Sequence, residues 1–97
     1  MKVYVILIRY TEQGVEALKE APRRAQKFTE YLTSKGVSNV TIYWTFGAYD
    51  GVVTFHSPDD ETAHRAIMNL SHLGNVRTET LRGYDQAGFE ALLTEMV

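Results

Sequence analysis

The side chains of this chain that can do chemistry gather at two strand ends. Asp50 closes the short turn Gly47-Ala48-Tyr49-Asp50 between two β-rich runs. A carboxylate there can accept a ligand amine; the plainer reading is that it accepts N–H groups of its own turn. Tyr49 can present a phenol to a cleft or pack locally, and Gly47 can supply a backbone with positive φ. Arg9 ends the run Val3 to Arg9. An arginine at the end of a central strand needs a partner, and Asp50 and Glu79 are the candidates. Thr78 shares one parity of the run Val76 to Arg82 with Thr80 and Arg82. Lining a cleft, these offer hydroxyls and one cation to a carboxylate; on an edge strand they simply discourage pairing with other chains. Arg9, Tyr49, Asp50 and Thr78 are therefore the expected ligand-binding set.

Other chemistries find less support. His64 and His72 lie two helical turns apart, about 12 Å along the axis, and cannot share one metal. His56 stands at a strand end without a second ligand, and no H-x-x-x-H spacing occurs, so no metal site is expected. The chain has no cysteine, hence no disulfide, thiolate site or thiol nucleophile. No Ser/His/Asp order and no glycine-rich phosphate loop appear, and no cofactor is expected. Tyr43, Trp44 and Phe46 read as core or interface before they read as a substrate platform.

A net charge of -2 and a pI near 5.9 give no electrostatic case for nucleic acid or an anionic membrane. The 97 residues suit one domain over 1–97, burying roughly 60–65% of the unfolded chain's surface. The apolar run Val3 to Ile8 is too short to span a bilayer. It follows a single Lys and lacks a small-residue cleavage site, so a signal peptide is not expected and a cytoplasmic location is.

The elements that must position these residues follow from periodicity. Val3 to Arg9 is apolar on both parities, Val3, Val5 and Leu7 against Tyr4, Ile6 and Ile8, as in a central strand covered on both sides. Thr11 can cap a short helix over Gln13 to Glu20. A longer helix follows from about Pro22 to Ser34, with Leu18, Ala25, Phe28 and Leu32 as the apolar stripe and Gly36 as its left-handed cap. Asn39 to Phe46 alternates as a strand, with Val40, Ile42, Trp44 and Phe46 on one face. Asp50 to His56 is the next strand. Ser57-Pro58-Asp59-Asp60 opens a helix to about Leu73, with Ser57 as cap and Asp60 in the reciprocal position. Its stripe is Ala63, Ala66, Ile67, Leu70 and Leu73. Val76 to Arg82 is the fourth strand, and Asp85 caps a last helix, Gln86 to Met96, with the stripe Phe89, Leu92, Leu93 and Met96.

The order β-α-β-β-α-β plus a terminal helix predicts an α+β, ferredoxin-like fold. With right-handed crossovers, the antiparallel sheet has the order 4-1-3-2 and carries its helices on one face. Half of the aliphatics of the first strand are then left on the helix-free face. Exposed apolar patches of that size are rare on monomers, so the expected partner is a second copy related by a two-fold axis.

The pieces Y-V-I-L-I-R-Y-T-E-Q-G (Tyr4 to Gly14), G-A-Y-D (Gly47 to Asp50), S-P-D-D (from Ser57) and L-G-N-V-R-T-E-T-L-R (Leu73 to Arg82) together resemble the GYD-domain family. The resemblance covers nearly the whole chain. It implies a dimeric α/β-barrel arrangement and no settled activity. The hairpin and G-N-V-R-T-E-T also resemble the effector-binding domain of Lrp/AsnC-type regulators, where they border an amino-acid site between subunits. The resulting expectation is a homo-oligomeric small-molecule-binding or interaction module, with its cleft near the Gly47–Asp50 hairpin and the subunit interface. The alternative is a small cofactor-free isomerase or oxygenase of the dimeric α/β-barrel type.

Overall fold

A computed structural model describes residues 1–96. The elements are β1 (Lys2–Tyr10), α1 (Glu12–Glu16), a 3-10 turn (Leu18–Glu20), α2 (Ala21–Ser34), β2 (Ser38–Trp44), β3 (Gly51–Ser57), α3 (Asp60–His72), β4 (Val76–Gly83) and α4 (Gln86–Leu93). The sheet order is β2-β3-β1-β4, which is the expected 4-1-3-2 read from the other edge, and every pairing is antiparallel. The architecture is α+β and compatible with the ferredoxin-like class.

One face of the sheet and the inner sides of α2 and α3 make the core. Tyr4, Ile6, Val53 and Phe55 from the central strands meet Phe28 and Leu32 of α2 and Ala63, Ala66 and Ile67 of α3. Phe55, Ile6 and Leu32 are fully buried, which is worth about 1.5–3 kcal/mol for each side chain. The two parities of β1 separate as the sequence implies. Tyr4, Ile6 and Ile8 face the helices, while Val3, Val5 and Leu7 stay half-buried on the other side. In register beside them on that side lie Val52 of β3, Leu81 of β4 and, across Val52, Tyr43 of β2.

Several local expectations are corrected. The cap of α3 is Asp59, whose carboxylate accepts from Thr62 N at 2.7 Å. Ser57 pairs with Lys2 as the last residue of β3; fully buried, it donates its hydroxyl to Asp59 O, so strand pairing has taken it from the helix. Leu18 lies in the 3-10 turn and Leu73 beyond the end of α3, and both are exposed. The strand β2 ends at Trp44, leaving Phe46 wholly in solvent. The last helix ends at Leu93, and none of Phe89, Leu92, Leu93 or Met96 is buried. α4 makes at most marginal contact with the rest of the chain. The radius of gyration is 14.6 Å and the longest dimension 51 Å; a compact chain of this length has a radius of about 12.5 Å.

Candidate functional site

The hairpin loop is built by short-range bonds that leave Asp50 inside it. Thr45 N donates to Asp50 O at 2.9 Å and Thr45 Oγ1 donates to Tyr49 O at 2.6 Å. Gly47 has φ +140°, a conformation that side chains resist. Asp50 N donates to Ile8 O at 2.8 Å, and Asp50 Oδ2 accepts from Tyr10 N at 2.8 Å. The carboxylate thus continues the β1–β3 ladder one step beyond its last backbone pair. It serves the backbone of the neighbouring strand rather than that of its own turn.

Arg9 and Tyr49 meet over Glu79. The guanidinium stacks on the Tyr49 ring at 4.3 Å, donates through Nε to Ala48 O at 3.0 Å and pairs with Glu79 Oε1 at 3.3 Å. Tyr49 donates its hydroxyl to Glu79 Oε2 at 2.8 Å. That bond to a carboxylate, chiefly, raises the phenol's pKa above its ordinary value. Of the two candidate partners for Arg9, Glu79 is the one it takes. Thr78 lies apart from this group. It pairs with Ile8 on the helix side of the sheet, and its hydroxyl shares a 3.3 Å hydrogen bond with Ser71 of α3. Arg9, Tyr49 and Asp50 are therefore neighbours, and Thr78 faces the other way.

A second polar cluster sits at the opposite end of β1. Tyr4 donates its hydroxyl to Asp60 Oδ1 at 2.5 Å, with His64 Nε2 at 3.2 Å from the same oxygen. Arg82 Nε lies 3.7 Å from Asp60 and its guanidinium 4.8 Å from the Tyr84 ring. Burial first, then the Asp60 carboxylate, push the Tyr4 phenol up to about 12. The Tyr4 hydrogen bond in turn holds Asp60 below the usual carboxylate range. Single-residue reading missed this cluster, although one signal was present. Asp60 and His64 stand four apart on one helix face, where i and i+4 side chains converge.

Between α2, α3 and the sheet lies a half-open cavity of about 280 Å³. Its floor is Ile8, Ile42, Gly51 and Val53, and its walls are largely apolar. Ala21 and Ala25 of α2 line it with the smallest of side chains, which leaves the space open. None of His56, His64 and His72 lines it. Among the described residues no group of three metal-binding side chains occurs, and no helix is long and apolar enough to cross a membrane.

The sheet with one covered face and the Gly47–Asp50 hairpin define an α+β protein of the ferredoxin-like type. Within that class the chain belongs to the GYD domain family, whose pattern matches residues 4–93. A relative from Thermus thermophilus is 32% identical over 94 residues, covering 96% of this chain and 99% of its own. Its name is glutamine synthetase and cystathionine beta-lyase binding protein.

Proposed function

We propose that this chain is a homo-oligomeric, non-catalytic interaction module that assembles through the helix-free sheet face and docks other proteins through its exposed apolar surfaces. The observation that carries the reading is the helix-free face. Val3, Val5, Leu7 and Val52 are only half-buried there, and Tyr43 and Leu81 are 64% and 48% exposed. Two copies facing each other about a two-fold axis would cover about twelve such side chains. At roughly 1 kcal/mol each, that is comparable to the ~4–15 kcal/mol cost of association. The unpacked stripe of α4 would supply further burial. This is the dimeric α/β-barrel arrangement. The name of the Thermus relative supports protein partners in the same family, so oligomeric metabolic enzymes such as glutamine synthetase are the first to test. Such partners also suit a cytoplasmic location.

Sedimentation velocity at micromolar concentration tests the assembly. A dimer or larger species is expected; a lone 11.0 kDa particle would overturn it. A small molecule at the hairpin, held by Arg9, Tyr49 and Asp50 without Thr78, belongs to the same proposal. A ligand carboxylate there must displace Glu79 from Arg9, and a ligand amine must displace Tyr10 N from Asp50. The alternative of a cofactor-free isomerase or oxygenase draws on the cavity, which Tyr10 lines. Its hydroxyl accepts from Trp44 Nε1 at 2.8 Å and keeps its own proton to donate.

A further inference from the structure

The charges around the helix–sheet cavity are one-sided. Arg24 and Lys27 of α2 line it and, among the described residues, no acidic side chain does. For a protein of net charge -2 that is the reverse of the average surface. The remaining polar lining is neutral, chiefly Tyr10, Asn69 and Asn75.

Arg24 is also incompletely satisfied. Its Nη1 donates to Ala17 O at 2.8 Å, which fixes the guanidinium at the junction of α1 and the 3-10 turn. Its Nη2 is buried and, among the described residues, has no hydrogen-bond partner. A buried donor of a charged group left unpaired is costly, and folded proteins rarely keep one without a reason. An anionic oxygen is the strongest acceptor for it, because a charge-assisted bond is about twice as strong as a neutral one.

We propose that this cavity binds a small apolar carboxylate, its hydrocarbon body between α2 and α3 and its carboxylate on Arg24. A small swing of the guanidinium brings Nη2 to the ligand while Nη1 keeps Ala17. The volume of about 280 Å³ lies just below the ~300–1,000 Å³ range of ligand pockets, so the ligand is a short fatty or aryl-alkanoic acid rather than a nucleotide or a full lipid. Lys27 adds a second positive charge at the wall, and neutral Tyr10, Asn69 and Asn75 leave no repulsion to overcome. The site lies on the helix side of the sheet. Of the residues on the face proposed for assembly only Tyr43 and Val52 also border the cavity, and Arg24, which carries the proposal, belongs neither to that face nor to the hairpin.

The test uses octanoate and 1-octanol, which share a chain length and differ in charge. Isothermal titration of the full chain should show one saturable octanoate per chain with a sub-millimolar Kd, and weaker binding of 1-octanol. The emission of Trp44, the chain's one tryptophan and a cavity-lining residue, should shift on binding. Arg24→Met keeps the aliphatic stem and removes the charge. It should weaken octanoate about 10- to 100-fold and leave 1-octanol within about 2-fold, as the loss of a charged hydrogen bond implies. Ala25→Phe fills the space without touching Arg24 and should abolish binding of both. The proposal is overturned if wild-type protein does not bind octanoate, if it prefers 1-octanol, if Arg24→Met binds octanoate like wild type, or if Ala25→Phe still binds. The two probes on wild-type protein decide the charge preference even where Arg24→Met fails to fold.

Discussion

At the residue scale, Asp50 and Tyr4 are the informative positions, because each is a polar group whose partner comes from a distant part of the chain. Asp50 is the acceptor for Tyr10 N. Asp50→Ala removes that acceptor and leaves a partly buried backbone donor unpaired, at about 1–3 kcal/mol. The expected outcome is a lower midpoint of urea unfolding with the subunit number unchanged. Asp50→Asn keeps an oxygen in place and should recover most of the loss. If Asp50→Ala unfolds like wild type yet loses a bound small molecule, the carboxylate is a ligand group. Tyr4 makes a pH prediction with two arms. Its folded pKa is raised to about 12 above the ordinary ~10. Its stabilising contribution is therefore complete below pH ~10 and lost as pH rises towards 12. Asp60 is shifted the other way. Its contribution is complete above the ordinary carboxylate pKa of ~3.9 and is lost as pH falls below that value. Stability measured against pH should fall at both ends, and Tyr4→Phe should flatten both falls. An unchanged alkaline limb in Tyr4→Phe would show that Tyr4 does not govern it.

At the element scale, two glycines separate shape from backbone conformation. Gly14 in α1 lies against the α3–β4 connection so closely that an added Cβ would stand 2.0 Å from Asn75 O. Gly14→Ala must push α1 off that connection, at about 1–3 kcal/mol or more. An added Cβ at Gly47 meets nothing within 4 Å, but its φ is +140°, so Gly47→Ala costs only the backbone strain, about 1–3 kcal/mol, with no clash added to it. Denaturation midpoints should rank wild type above Gly47→Ala above Gly14→Ala, and the opposite order of the two variants would reject this account. The same contrast shows what the sequence made legible. The element order, the strand pairing and the split of Tyr4, Ile6 and Ile8 from Val3, Val5 and Leu7 all follow from period-two and helical spacing, which are local. The close approach of Gly14 to Asn75, the Tyr4–Asp60–His64 cluster and the cavity at Ala21 and Ala25 are not local. Each depends on which surfaces tertiary packing brings together; the four-residue step from Asp60 to His64 pairs those two side chains but does not bring Tyr4 to them. Of the expected ligand set, Arg9, Tyr49 and Asp50 converge because they flank one hairpin. Thr78 does not, because its parity in β4 sends it to the helix side.

At the scale of the whole molecule, the chain has more apolar surface than one copy can cover. The helix-free face and the α4 stripe are both uncovered, and so are Val15, Leu18, Trp44 and Phe46, of which the last is wholly in solvent. Leu7 lies near the middle of the helix-free face, with Val52 on one side and Glu79 on the other. Leu7→Arg puts a charge there without entering the core, because Leu7 has the opposite parity from Ile6 and Ile8. In a lone subunit the new guanidinium stays in water, beside Glu79, and costs little. In a two-fold assembly it meets its own copy across a desolvated interface, where an unpaired charge costs several kcal/mol. Leu7→Arg should therefore dissociate the protein to 11 kDa subunits in sedimentation velocity while keeping the circular dichroism of the folded chain. Because the helix–sheet cavity lies on the other side, the separated subunits should still bind octanoate. If Leu7→Arg sediments as wild-type oligomers do, the assembly uses another surface, and α4 with its stripe Phe89, Leu92 and Leu93 is the next to test.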